Sequence, residues 1–75
     1  MKIEKYHVDK TYNEIDRRIS DMIYKEEISQ EEIHEVRNNM LQGVYCTFIM
    51  IADNWQDVRH WCDVCEEERG YFEVR

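Results

Sequence analysis

The stretch from Gln30 to Glu68, QEEIHEVRNNMLQGVYCTFIMIADNWQDVRHWCDVCEEE, decides the fold. Apolar side chains recur in it at Ile33, Val36, Met40, Val44, Phe48, Ile51, Trp55, Val58, Cys62 and Cys65. Every step is three or four residues, the spacing of one helix face, whereas a strand alternates with a period of two. Two places interrupt the pattern. Gly43 costs about 1 kcal/mol against alanine in a helix interior, and Asp53-Asn54 is a weak helix pair that reads equally well as an N-cap.

Between those interruptions, Val44 to Ala52 carries no charge and is rich in β-branched and aromatic residues. Such a run also fits a buried strand. On that alternative the chain is α+β, with a central strand at 44–52 between helices over Ser29–Gln42 and Asn54–Arg69. The helical wheel favours helix. Its outward positions, Gly43, Cys46, Thr47, Met50 and Asn54, continue from Asn39 as a stripe of mostly small or weakly polar residues. A helix apolar nearly all round is a buried one. The expected fold is therefore mainly α: an antiparallel helical hairpin with a long second helix, continuous or kinked, and short extended termini.

Working back towards the N-terminus, Ser29 and Glu32 form a capping box that opens this helix, and Glu31 and Glu32 suit the positive end of its dipole. Before it, Tyr12, Ile15, Ile19, Met22 and Ile23 make an apolar stripe, with Thr11-Tyr12-Asn13-Glu14 as a capping box. The first helix is expected from about Tyr12 to Glu26. The segment Lys2–Val8 has moderate β character and reads as a short edge strand or ordered tail. At the other end Gly70 fits an αL C-cap, and Tyr71–Val74 looks extended and able to pair with Lys2–Val8.

The chain has 75 residues, no proline and only two glycines, which fits one domain of long helices. So short a chain buries only about 60% of its unfolded surface. A first helix of about 15 residues spans roughly 22 Å, against about 57 Å for an unbroken second helix. It covers only the start of its neighbour, so a kink near Asp53 or a second copy must cover Phe48 to Trp61. A homo-oligomer is the expectation.

Seventeen acidic and ten basic residues give a formal net charge of −7. An acidic chain is not drawn to a phosphate backbone, which argues against direct nucleic-acid binding. It favours a basic protein partner, including a nucleic-acid-binding protein met by a surface that imitates its ligand. The acidic residues fall in two clusters. Glu26, Glu27, Glu31, Glu32 and Glu35 surround the hairpin turn, with no Lys or Arg between Lys25 and Arg37. Asp53, Asp57, Asp63, Glu66, Glu67 and Glu68 follow along the later helix. Both lack the Glu→Lys pairs of an ordinary solvated helix, and a merely solubilising face is the plain alternative. Glu31, Glu32, Glu35, Asp53, Asp57 and Asp63 are the candidate partner-binding carboxylates. Trp61, one position off the apolar stripe, joins them, whereas Trp55 lies on the stripe and is expected in the core.

Catalytic signals are thin. Cys62-x-x-Cys65 could supply two ligands of a zinc site, with His7, His34 or Cys46 completing it. The same positions continue the apolar stripe, and free cysteine is among the most buried residue types. The three histidines lack a nucleophile or carboxylate at motif spacing, and neither a glycine-rich phosphate loop nor an HExxH pattern is present. No catalytic residue, cofactor or metal is expected, and the chain reads as non-enzymatic. With no secretory signal, no membrane-length apolar run and an odd cysteine count, it reads as a cytoplasmic protein with reduced thiols. The profile of a very short, acidic chain without a catalytic motif is shared by phage-encoded inhibitors of host or defence machinery, small antitoxins and regulatory adaptors. The expected function is inhibition of a basic, nucleic-acid-handling protein. Its rivals are a homo-oligomeric regulatory or ligand-sequestering module and a small zinc-stabilised domain.

Overall fold

Three α-helices form in the computed structural model, which describes residues 1–71: α1 Lys5–Tyr24, α2 Ile33–Ile51 and α3 Trp55–Glu68. A single 3₁₀ turn, Gln30–Glu32, leads into α2. Each helix packs against the other two. No strand occurs among the described residues, and no described helix is long and apolar enough to cross a membrane.

α1 starts seven residues before the expected Tyr12. The start signal is at Glu4, whose backbone N–H donates to His7 Nδ1 at 2.9 Å. A histidine thus fills the position that Glu or Gln takes in a usual capping box. The core stripe correspondingly begins one turn early, at Val8, and continues through Tyr12, Ile15 and Ile19. Thr11, expected as a cap, sits mid-helix and returns its hydroxyl to the His7 carbonyl at 2.9 Å. The edge strand expected over Lys2–Val8 is therefore largely helix. Its proposed partner is half out of view: Tyr71 ends in a 3₁₀ turn, and residues 72–74 lie outside the described residues.

α1 ends at Tyr24 rather than Glu26. Glu26 N–H bonds to the Ile23 carbonyl and Glu27 N–H to that of Met22, the paired bonds of a Schellman motif. That motif needs a left-handed residue, and Glu26 supplies it at φ 59°. Ser29 and Glu32 close the expected capping box, the Ser29 N–H and hydroxyl both donating to Glu32 Oε1 at 3.1 and 3.0 Å.

The long second helix is two helices. Ala52 and Asn54 are extended, with ψ of 143° and 113°, and Asn54 caps α3 by accepting from Gln56 N–H at 2.9 Å. Asp53 is stapled to the N-terminus: its N–H bonds to the Met1 carbonyl at 2.9 Å and its carboxylate takes the Met1 amine at 2.6 Å. The strand alternative for 44–52 fails as well, because α2 is helical through Ile51. Strand propensity is a preference for half-buried pleated surface, and no second strand offers that surface here.

The break brings α3 back over α1. Its Val58, Cys62 and Cys65 join the four α1 residues in one core with Ile3, Leu41 and Tyr71. α2 contributes one fully buried residue, Leu41, and packs the rest of its apolar face on the core only partly buried, although it is the most apolar helix by sequence. Ile51 and Trp55, placed inside by the unbroken stripe, are 45% and 52% exposed. Three non-helical residues, 52–54, reset the helical phase, so the inward face of α3 starts at Val58.

Candidate interaction surface

The first acidic cluster is built by the α1–α2 connection. Glu26, Glu27, Glu31, Glu32 and Glu35 are all exposed. Among the described residues none of the five is ion-paired. The nearest cations in sequence are engaged elsewhere: Lys25 pairs with Asp21 at 3.1 Å, and Arg37 turns inward over the Tyr71 ring at 4.5 Å. Glu32 is occupied by its cap bonds to Ser29, so Glu31 and Glu35 are the free carboxylates of the α2 start.

Of the second cluster, Asp53 and Asp57 lie beyond the far end of α2, whose 19 residues put about 28 Å between them and the first cluster, whereas Glu66 stands beside the middle of α2. The structure does not merge the clusters into one surface. Nor does it put Asp53, Asp57 and Asp63 on one side. Asp53 sits in the break, and six residues at 100° each turn Asp63 roughly 120° away from Asp57. Asp63 is exposed and Asp57 half-buried.

The two tryptophans exchange their expected burial. Trp61 is half-buried against the core with its ring edge on His60, centroids 4.5 Å apart. Trp55 projects from the first turn of α3, between Asp53 and Asp57 in the chain. Met1, held at this corner through Asp53, and Ile51 are also exposed. The α2–α3 corner thus presents an aromatic ring, two aliphatic side chains and the Asp53 carboxylate paired with the Met1 amine, while Asp57 is half-buried on another side of α3.

Sequence reasoning missed a polar knot at the other end of α3. Arg69 donates to Asp9 Oδ1 at 3.1 Å, the Asp9 carbonyl at 3.3 Å, Asn13 Oδ1 at 2.7 Å and the Cys65 carbonyl at 3.2 Å. It also lies 3.6 Å from Asp16 Oδ2 and over the Tyr12 ring. Tyr71 stacks on Tyr12 and donates to Asp16 at 2.6 Å. The signal for this was legible: Asp9, Asn13 and Asp16 recur at steps of four and three beside the apolar stripe of α1.

The two thiols of the CxxC pair face different neighbours. Cys65 donates to Asp9 Oδ1 at 3.2 Å. Burial, reinforced by the Asp9 carboxylate, pushes the Cys65 thiol up to about 12. Burial likewise raises Cys62, whose thiol lies against the Tyr12 hydroxyl. Neither thiol is poised as a nucleophile, since reactivity belongs to the thiolate. Asp9, Cys65 and Glu68 bring three donor atoms within 4.8 Å of one another. Arg69 and Lys5 already hold the two carboxylates, Lys5 at 3.0 Å from Glu68. Cys62 is not part of that group. The exposed cysteine is Cys46, on α2.

A second polar groove, about 350 Å³, opens between α2 and α3 beside Glu66, with Asn38, Gln42 and Tyr45 along its α2 wall. Burial holds the Glu66 carboxyl above the usual range, against the hydrogen bond it accepts from Tyr12 at 3.2 Å.

Comparison with known proteins returned no matching family model, curated protein or solved structure.

Proposed function

We propose that the chain is a non-enzymatic binding protein that inhibits a basic partner by occupying its surface through the α2–α3 corner. The observation that carries this reading is Trp55, 52% exposed between Asp53 and Asp57. Tryptophan is the residue type most often found at the energetic centre of an interface. Folding alone gives no reason to leave it in water, because full burial of a large apolar side chain is worth about 1.5–3 kcal/mol. Asp53 is paired with the Met1 amine and Arg59, one turn on from Trp55, is exposed, so the corner itself is mixed in charge. The negative balance of the whole chain is what favours encounter with a basic surface.

The net charge of −7 gives the partner class. Proteins that hold nucleic acid display lysine and arginine in grooves, and a small acidic domain seated there competes with the phosphates. Asp63, on a neighbouring face of α3, extends the acidic surface. Glu31 and Glu35 form a separate acidic end that a large partner could reach about 28 Å away. A cytoplasmic setting suits such a role.

The test is capture of the partner from the native host, followed by titration at two salt concentrations. Trp55→Ala should weaken binding by about 30-fold, the loss typical of an interface anchor. Joint Asp57→Lys and Asp63→Lys should slow association and flatten the salt dependence while helicity is kept. If the tryptophan variant and the charge-reversed variant both bind and inhibit like the parent, the corner is not the site.

A further inference from the structure

Helices α1 and α2 leave a groove of about 610 Å³ between them, walled by Thr11 and Ile15 on one side and by Met40, Gly43, Thr47 and Phe48 on the other. The two hydroxyls in its wall are already satisfied. Thr11 donates to the His7 carbonyl and Thr47 to the Gly43 carbonyl, each at 2.9 Å on its own helix. What they turn to the groove is therefore apolar. Arg18, the charged residue of the wall, is paired with Glu14 on its own helix at 3.2 Å.

We propose that this groove and the adjoining face of α2 are the interface of a homodimer, with the α2 helices of two copies crossing at Gly43. Charge selects a second copy as the occupant. From Asn38 to Ala52 the chain has no charged residue, within a chain of net charge −7. Two identical acidic molecules meeting through the α1–α2 connection or the exposed side of α3 bring carboxylates against carboxylates. Through α2 they do not.

Gly43 supplies an independent argument. A glycine inside a helix is unfavourable relative to alanine. The fold of one copy gives no return for it: a Cβ at Gly43 would meet nothing within 4 Å, and Gly43 does not adopt positive φ. A second helix crossing at that point uses the missing side chain, because small residues let backbones approach closely. Leu41 is the one fully buried residue of α2, and Met40, Val44 and Phe48 pack on the core only in part, so a partner completes their burial. This inference is independent of the partner-binding corner, which rests on Trp55.

The deciding experiment is sedimentation equilibrium on the full chain from about 1 to 100 μM, with circular dichroism alongside. The parent should be dimeric. Gly43→Glu, whose side chain has free space in one copy, should weaken the dimer at least about tenfold with helicity kept. Gly43→Ala should raise the thermal stability of the monomer yet weaken the dimer. Thr47→Lys repeats the charge test at a neighbouring exposed position, should Gly43→Glu lose helicity. A parent that stays monomeric overturns the proposal, including a monomer whose groove takes an apolar dye or a foreign helix. So does any assembly that survives Gly43→Glu or Thr47→Lys with affinity within about threefold of the parent.

Discussion

Replacing Arg69 by alanine tests whether a polar knot, as well as the apolar core, holds α3 on α1. The guanidinium makes three hydrogen bonds to α1, one to the Cys65 carbonyl of α3, and a longer ion pair to Asp16 at 3.6 Å. A net hydrogen bond contributes about 1 kcal/mol, and one to a charged group about 1.5–3 kcal/mol. These do not add in full. Asp9 keeps the Cys65 thiol as a donor and Asp16 keeps Tyr71, so neither carboxylate is stranded. Asn13 Oδ1 and the Asp9 carbonyl lose the bonds they accept from the guanidinium, while the Cys65 carbonyl keeps the backbone N–H of residue 69. The Arg69 side chain is only 16% exposed, which limits how well water replaces it. The expected loss is about 3 kcal/mol. A domain of this size has roughly 4–11 kcal/mol in total, so Tm should fall by about 12–24 °C. Urea unfolding followed by circular dichroism measures it, with the m-value unchanged. Arg69→Lys keeps the charge but not the planar fork and should lose about half as much. In a double-mutant cycle with Asp9→Asn the coupling should be about 1–2 kcal/mol. A loss under about 1 kcal/mol with no coupling would show that the knot is ornamental and the core alone holds α3.

Three further outcomes follow from local geometry. Glu26→Gly should raise stability by about 1 kcal/mol in thermal unfolding, because φ 59° is strained for glutamate and free for glycine. Asn54→Ala should cost about 1 kcal/mol in urea by removing the cap on Gln56 N–H. For Cys65, the folded thiol sits at about 12 against an ordinary 9.0. Its contribution is therefore intact below pH 9 and lost as pH rises from 9 towards 12. Thermal melts taken across pH 7–11 should show that decline, and Cys65→Ala should make it shallower, the raised Cys62 thiol and Tyr71 hydroxyl leaving a residual slope, while lowering stability at pH 7 by about 1–2 kcal/mol.

The helices were legible in the sequence because they rest on local signals. The 3–4 spacing marks α2 and α3 correctly, Ser29 with Glu32 marks a start, and Gly70 takes its left-handed C-cap position at φ 69°. Asp53-Asn54 was legible as an interruption but not as a full break. What separates the two is a tertiary contact, the Met1 amine on Asp53, and a long-range pair leaves no periodic trace. Trp55 went astray for the same reason: three non-helical residues shift the phase of every position after them. The early start of α1 was hidden by a histidine where a glutamate is usual. The Arg69 knot joins residues more than 50 positions apart, yet its α1 half, Asp9, Asn13 and Asp16, was written in helical spacing beside the core stripe.

Oxidative footprinting of the captured complex tests the central claim most directly. Trp55 and Tyr24 are both open to solvent in the free chain, at 52% and 86% exposure. Hydroxyl radicals should modify both in the free protein. On binding a basic partner at the α2–α3 corner, Trp55 should become protected while Tyr24, at the end of α1, reacts as before. A complex in which Trp55 stays as reactive as in the free chain would contradict the account.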